Sequence, residues 1–229
     1  MRKHLYMVID VETTNNLENP LVYDFGYAIT DKQGNIYEKG WFVIGDVFFD
    51  EKELMTSAYY ANKLPLYYKA LAKKEIKVIN IYNLRKKVKE LTEKYNIKEF
   101  MAYNANFDRN ALNNTIRYIT KSKCRWFFPY GIKWNCIWNM ACQTICKQKG
   151  FAKFTIENDF VSPKGNLQTS AEIVYRYINK DVDFSEDHLG LSDVLIEIEI
   201  MAKSFAQHKK IKKGINRFCW RIPSVYHFA

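Results

Sequence analysis

Apolar positions alternate with a period of two along the first fifty residues and recur near every 3.6 residues beyond them. Leu5-Tyr6-Met7-Val8-Ile9 is a compact apolar run that passes into Asp10-Val11-Glu12 with strand alternation. The run is short for a signal peptide and ends on a charge, so it reads as a buried strand. Further strands are predicted over residues 21–30 and 36–44. Between them Asp31-Lys32-Gln33-Gly34-Asn35 has turn chemistry, because Gly and Asn tolerate positive φ. The opening is therefore predicted to be an antiparallel meander of three strands.

Further along, Leu84, Val88, Leu91 and Tyr95 fall on one helical face, with Arg85, Lys86, Lys87, Lys89 and Lys94 on the others. A short strand follows at 100–103, then a helix with Asp108, Ala111, Leu112, Thr115 and Ile119 along one side. A short strand is placed within 126–138 and a helix at about 138–146. Residues 150–168, with Gly150, Pro163 and Gly165, read mostly as loop. Helices are predicted over 169–178 and 190–206. The last carries an apolar stripe of Leu191, Val194, Leu195, Ile198, Ala202 and Phe205, with Ile196 and Ile200 on another side, so it is expected to be buried on two sides. Strands first and alternating helices and strands afterwards indicate an α/β domain with a mixed sheet flanked by helices. No internal repeat or low-complexity segment interrupts the chain.

A length of 229 residues suits one domain, placed at 1–206, with an appendage at 207–229. The 48% hydrophobic and 16% aromatic content excludes disorder as the default. A net charge of +10 suits a polyanionic partner, either nucleic acid or an anionic membrane surface. No apolar run approaches the roughly 20 residues that cross a bilayer. Cys124, Cys136, Cys142, Cys146 and Cys219 lack CxxC spacing and read as reduced thiols rather than as a zinc site. In the appendage, Lys209, Lys210, Lys212 and Lys213 precede Phe218, Trp220, Tyr226 and Phe228. Packing on the domain ranks first for this segment, with nucleic-acid contact close behind.

Carboxylates stand where the pattern calls for apolar residues. Asp10 and Glu12, two apart on a strand, share a face. Asp108 occupies the row of Ala111, Leu112, Thr115 and Ile119, and Asp193 that of Ile196 and Ile200. Asp108 and Asp193 could each be a helix cap, a common use of Asp before an apolar helix. The other explanation is convergence on shared positive charge, for which a divalent cation is the economical source.

Ile9-Asp10-Val11-Glu12-Thr13-Thr14 resembles the first exonuclease motif of the DnaQ-like (DEDD) superfamily, a hydrophobic strand ending in D-x-E-T-T. Residues 102–112, reading A-Y-N-A-N-F-D-R-N-A-L, resemble the second motif, a strand running into H-N-x-x-F-D and on to a Leu. His188-Leu189-Gly190-Leu191-Ser192-Asp193 resembles the third, H-x-x-x-x-D, which marks the DEDDh branch. The resemblance extends from residue 4 to about 206. Tyr103 stands where the family often has His and Asn15 where Gly is common, and the helix near Trp138 lacks the usual Asp-Thr start.

The resemblance implies a ribonuclease H-like fold and a metal-dependent 3′→5′ exonuclease that releases nucleoside monophosphates, DNA slightly favoured. An exoribonuclease and a non-catalytic nucleic-acid-binding module of the same fold are the alternatives. Asp10, Glu12, Asp108 and Asp193 would hold two divalent cations, Mg²⁺ or Mn²⁺, with Asp10 bridging them. His188 would be the general base, although Glu186 and Asp187 beside it should raise its pKa. Thr13, Asn104 and Phe107 would grip the terminal nucleotide. The implied partners are single-stranded nucleic acid or a frayed 3′ end and a polymerase or replication protein, with no membrane. A cytoplasmic bacterial or phage setting is expected. Phe25 could stack on a base, with a core position ranked ahead.

Overall fold

A computed structural model describes residues 3–14, 18–58 and 61–223. Asn15 and the appendage's Tyr226 and Phe228 lie outside the described residues. Three strands open the chain as expected: β1 (Leu5–Thr13), β2 (Val22–Asp31) and β3 (Ile36–Ile44), each antiparallel to the one before. The turn after β2 is closed by Asp31, whose Oδ1 accepts from the amides of Gln33 and Asn35 at 3.0 and 3.1 Å. Gly34 takes φ +87° there. Three short strands then join in parallel: β4 (Lys77–Ile79) on β3, β5 (Glu99–Ala102) on β1, and β6 (Lys133–Cys136) on β5. Among the described residues the sheet runs β4-β3-β2-β1-β5-β6. It is the mixed α/β sheet that the pattern predicts.

The connection from β3 to β4 carries three helices that no clear period announces: α1 (Gly45–Phe48), α2 (Lys52–Ser57) and α3 (Leu64–Ala72). Strand β4 was not foreseen either, because an exposed three-residue edge strand leaves no alternation to read. Helices α4 (Ile81–Lys94) and α5 (Ala105–Thr120) follow, then α6 (Ile137–Gln143), α7 (Lys149–Glu157), α8 (Ala171–Asn179) and α9 (Gly190–Ala206). Helix α7 corrects the expected loop over 150–168. Phe151, Ala152 and Thr155 bury one side of it, and Gly150 stands in its first turn where it disturbs little. Only the part after α7 is irregular, pinched by a bridge between Val161 and Leu167.

Strand alternation sorts the core into two layers. Met7, Ile9 and Val11 of β1, with Tyr23, Phe25, Tyr27 and Ile29 of β2, pack into the layer that contains Leu84, Val88 and Leu91 of α4 and Leu112 of α5. Phe25 is wholly buried there, so it is a core aromatic. The intervening residues Tyr6 and Val8, with Ala28, join the opposite layer, together with Val194, Ile198 and Met201 of α9. Asp10 and Glu12 continue the Tyr6–Val8 row, and Asp24 and Gly26 continue the Ala28 row. Four positions at one end of the sheet are thus directed toward the start of α9.

Gly26 is what lets α9 come so close. A Cβ there would lie 2.2 Å from both the carbonyl carbon and oxygen of Gly190, inside any real contact, with only backbone to move. Gly26→Ala is therefore expected to displace the start of α9 and to cost about 1–3 kcal/mol in chemical denaturation. A wild-type unfolding midpoint would show that α9 does not need this approach.

Candidate active site

Each carboxylate of interest arrives on a separate element. Asp10 and Glu12 end the α9-facing row of β1. Asp108 stands in the first turn of α5 and Asp193 in the first turn of α9. Neither is a cap: the N-cap positions are Asn104 and Leu189, and neither helix start has a side-chain cap bond. Asp108 and Asp193 are 3% and 8% exposed, so capping cannot explain them. First-turn placement still helps both, because the helix N-terminus favours negative charge.

One cleft of about 870 Å³ is lined by Asp10, Glu12, Asp108, His188 and Asp193 together. Asn104 and Phe107 also line it, whereas Thr13, at the end of β1 beyond a bulge, does not. One carboxylate oxygen each of Glu12 and Asp193 and one imidazole nitrogen of His188 lie within 4.8 Å of one another. His188 itself sits two residues ahead of α9 with φ +50°, a left-handed conformation uncommon for a side chain of its size.

Sequence reasoning missed several members of this site. Glu197, one turn after Asp193 and 3% exposed, accepts from the amide of Tyr103 at 3.0 Å through Oε1. A charge amid Val194, Ile196, Ile198 and Met201 was the available signal. Asp24, wholly buried, was likewise visible as a charge set among the apolar residues 21–29, ahead of the Asp31 that closes β2. Lys63, whose ammonium donates to the carbonyl of Asp187, and Glu186 come from segments with no periodic signal.

Two kinds of buried carboxylate are present. Asp24 is satisfied: Oδ1 accepts from Trp41 Nε1 at 2.6 Å, and Oδ2 from Tyr67 Oη at 2.7 Å and the Gly190 amide at 2.9 Å. Burial pushes its pKa up, and these donors hold it to about 6. In contrast, Asp10 Oδ2, Asp193 Oδ1, Glu197 Oε2 and Glu186 Oε1 are buried with no hydrogen-bond donor among the described residues. Burial first, and neighbouring carboxylates second, raise Asp10 and Glu197 well above the usual range. Burial and Asp24 push Glu12 to about 9; burial and Glu186 push Asp193 to about 8, with Lys63 opposing in both cases. Burial lifts Asp108 to about 7, against the amides of Asp108 itself and Val11. Unpaired carboxylate oxygens in a low-dielectric cleft fit hard divalent cations, which prefer clustered carboxylates.

His188 behaves otherwise than its acidic neighbours in sequence suggested. Burial is the largest effect on it and lowers its pKa, and Lys63 lowers it further. Glu172 and Asp187 push the other way without prevailing. The imidazole is therefore held neutral near physiological pH. Its Nδ1 lies 3.8 Å from Glu186 Oε2.

These shifts carry a stability consequence. The folded cleft retains protons that the unfolded chain, with carboxyl pKa values near 4, has already released. Stability contributed by that retention is complete below about pH 4 and is lost as pH rises toward 9. In EDTA the Tm is thus expected to fall between pH 5 and pH 9. Mn²⁺ or Mg²⁺ should restore it, by more than about 4 °C at pH 8 and by less at pH 5. A metal-free Tm that stays level over this range would contradict the arrangement.

No family model matches the chain, and no curated relative does. Solved structures do. A 3′-exonuclease in a structure describing 3′-end-specific recognition of the histone mRNA stem-loop superposes with a TM-score of 0.58 at 12% identity, over 93% of this chain and 86% of that one. Escherichia coli exonuclease I matches in its complex with single-stranded DNA, at a TM-score of 0.51 and 12% identity over 86% of this chain. With a dT13 oligonucleotide the TM-score is 0.52 at 12% identity, over 90% of this chain. The chain spans about two fifths of the exonuclease I chains, which it covers to 39% and 42%. The likeness establishes the architecture: a mixed sheet, antiparallel then parallel, of the ribonuclease H-like kind that these 3′→5′ exonucleases share.

Proposed function

We propose that this chain is a metal-dependent 3′→5′ exonuclease that removes nucleoside monophosphates from the 3′ ends of single-stranded or frayed nucleic acid. The observation that carries the reading is the meeting of Asp10, Glu12, Asp108 and Asp193 with His188 in one cleft, with buried carboxylate oxygens that no protein donor satisfies. The four carboxylates would hold two divalent cations, Mg²⁺ or Mn²⁺. When bound, such ions supply Lewis acidity toward the scissile phosphate and the attacking water.

The chain's own groups do the rest. A neutral His188 takes the proton of the attacking water at Nε2, while Glu186 near Nδ1 stabilises the imidazolium that results. Water attacks phosphorus, the 3′-oxygen of the penultimate nucleotide leaves, and a nucleoside 5′-monophosphate is released. Glu197 and Lys63 set the charge of the cleft, and Asp24 fixes the start of α9 that carries His188 and Asp193. Asn104 and Phe107, which line the cleft, would hold the terminal nucleotide. The net charge of +10 favours a polyanionic strand.

An exoribonuclease reading has its own support. The superposition is better, and the lengths agree more closely, with the 3′-exonuclease of the histone mRNA stem-loop than with exonuclease I. One assay separates these readings: 5′-labelled single-stranded DNA, duplex DNA and RNA, each with Mg²⁺, Mn²⁺ or EDTA. The expected result is a ladder shortening from the 3′ end that needs metal and disappears in Asp10→Ala, with the preferred nucleic acid read from the same gel. Metal-independent cleavage, or none on any substrate, would sink the proposal. His188→Ala is expected to lower turnover about 10²- to 10⁴-fold. Wild-type activity should rise with pH on the acid side of about 6.5, a limb that the variant lacks. Near-normal turnover in the variant would remove His188 from the mechanism.

A further inference from the structure

The segment after α9 returns to the cleft. Lys213 binds Glu99 at 3.0 and 2.8 Å, and Gly214 accepts from the amide of Cys136 at 3.4 Å. Asn139 Nδ2 donates to the carbonyls of Lys212 and Gly214 at 3.1 and 3.2 Å. A tight turn follows: Asn216 Oδ1 accepts from the amide of Phe218, and its carbonyl accepts from Cys219. Arg217 Nη2 reaches Asn106 Oδ1 at 3.3 Å, joining this turn to the first turn of α5. Cys219 is wholly buried, its thiol hydrogen-bonded to that of Cys142, and Ile222 packs against the same layer. Trp220, between them, is half-buried and lines the cleft that contains Asp10.

We infer that Trp220 is a base-stacking residue for the substrate strand at or next to its 3′ end. An indole that lines the cleft between two core-anchored neighbours is a platform whose ordering cost is largely met by the fold. Aromatic side chains that stack nucleobases hold single strands without reading sequence, at about 1–3 kcal/mol per base. The same cleft offers further rings, among them Phe107 and Trp138. Trp138 is fixed by donating from Nε1 to Thr169 Oγ1 at 2.8 Å and by stacking on Tyr103. Lys164, within the 161–167 hairpin, lines the same cleft and supplies a cation suited to the phosphate backbone. Arg221, whose guanidinium lies 5.1 Å from the Trp220 ring centroid, adds a second charge beside the stack. A structural role is the competing explanation, and Cys219, wholly buried, with Ile222, packed against the same layer, already anchors this segment.

This inference rests on the nuclease reading for its substrate, so the test measures binding separately from hydrolysis. Oligothymidylate and oligouridylate with 2-aminopurine at the terminal or penultimate position are titrated into the full chain in EDTA, and cleavage is measured in Mg²⁺. Quenching of 2-aminopurine is expected with the wild type and with Trp220→Phe. In Trp220→Ala it should be lost, with Kd and KM raised about 5- to 100-fold and kcat changed less. An abasic nucleotide at the quenched position should weaken the wild type by a similar factor and leave Trp220→Ala no weaker than before. If alanine and abasic losses simply multiply, or if Trp220→Ala binds as the wild type does, the stacking role is overturned. Cleavage of the same oligonucleotides by the wild type in Mg²⁺ shows independently whether the nuclease reading stands.

Discussion

Negative charge confined to a low-dielectric seam is the constraint around which this molecule is arranged. β1 delivers Asp10 and Glu12 to the face that α9 covers, α9 brings Asp193 and Glu197 to the same place, and α5 adds Asp108. Each would be costly to bury alone, and together they repel one another. Lys63 bears on Glu12 and Asp193, and Arg176 on Glu186, yet among the described residues oxygens of Asp10, Asp193, Glu186 and Glu197 have no protein donor. A core built for stability alone would carry apolar side chains at these positions, as the preceding Tyr6 and Val8 of the same row show.

Small residues make that seam geometrically feasible. Gly26 and Ala28 on the α9 side of β2 let the helix start lie almost on the strand backbone, while the opposite side of β2 is filled by Phe25 and Tyr27. The alternation that separates aromatic from small residues is the same that separates the core row of β1 from its acidic row. Placement of the site thus follows from strand periodicity and from the close approach of one helix.

Strands β1 to β3 and helices α4, α5 and α9 were legible because each has at least two clear turns or three alternations of apolar residues. Asp10, Glu12, Asp108 and Asp193 were legible for the complementary reason, as charges in otherwise apolar rows. Short elements with mixed faces, such as α1 to α3 and β4, depend on neighbours far along the chain and leave no period. Helix α7 was concealed by Gly150 and by a buried side of only three residues. Glu197 was passed over because α9 is buried on two sides, so no single stripe marked it as misplaced. The lowered pKa of His188 was beyond sequence reasoning: Glu186 and Asp187 are adjacent in the chain, whereas burial and Lys63, which decide the sign, are products of the fold.

The three donors on Asp24 bear on how an ion would come and go. Trp41, Tyr67 and the Gly190 amide fasten the start of α9 to β2 through a carboxylate that has no unmet need. None of those donors belongs to the cluster beside it. Capture of a cation by the neighbouring carboxylates would then be mainly an exchange of protons for metal within a scaffold already assembled, with little chain to reorganise. The part of the fold that would receive the ion is complete before the ion arrives.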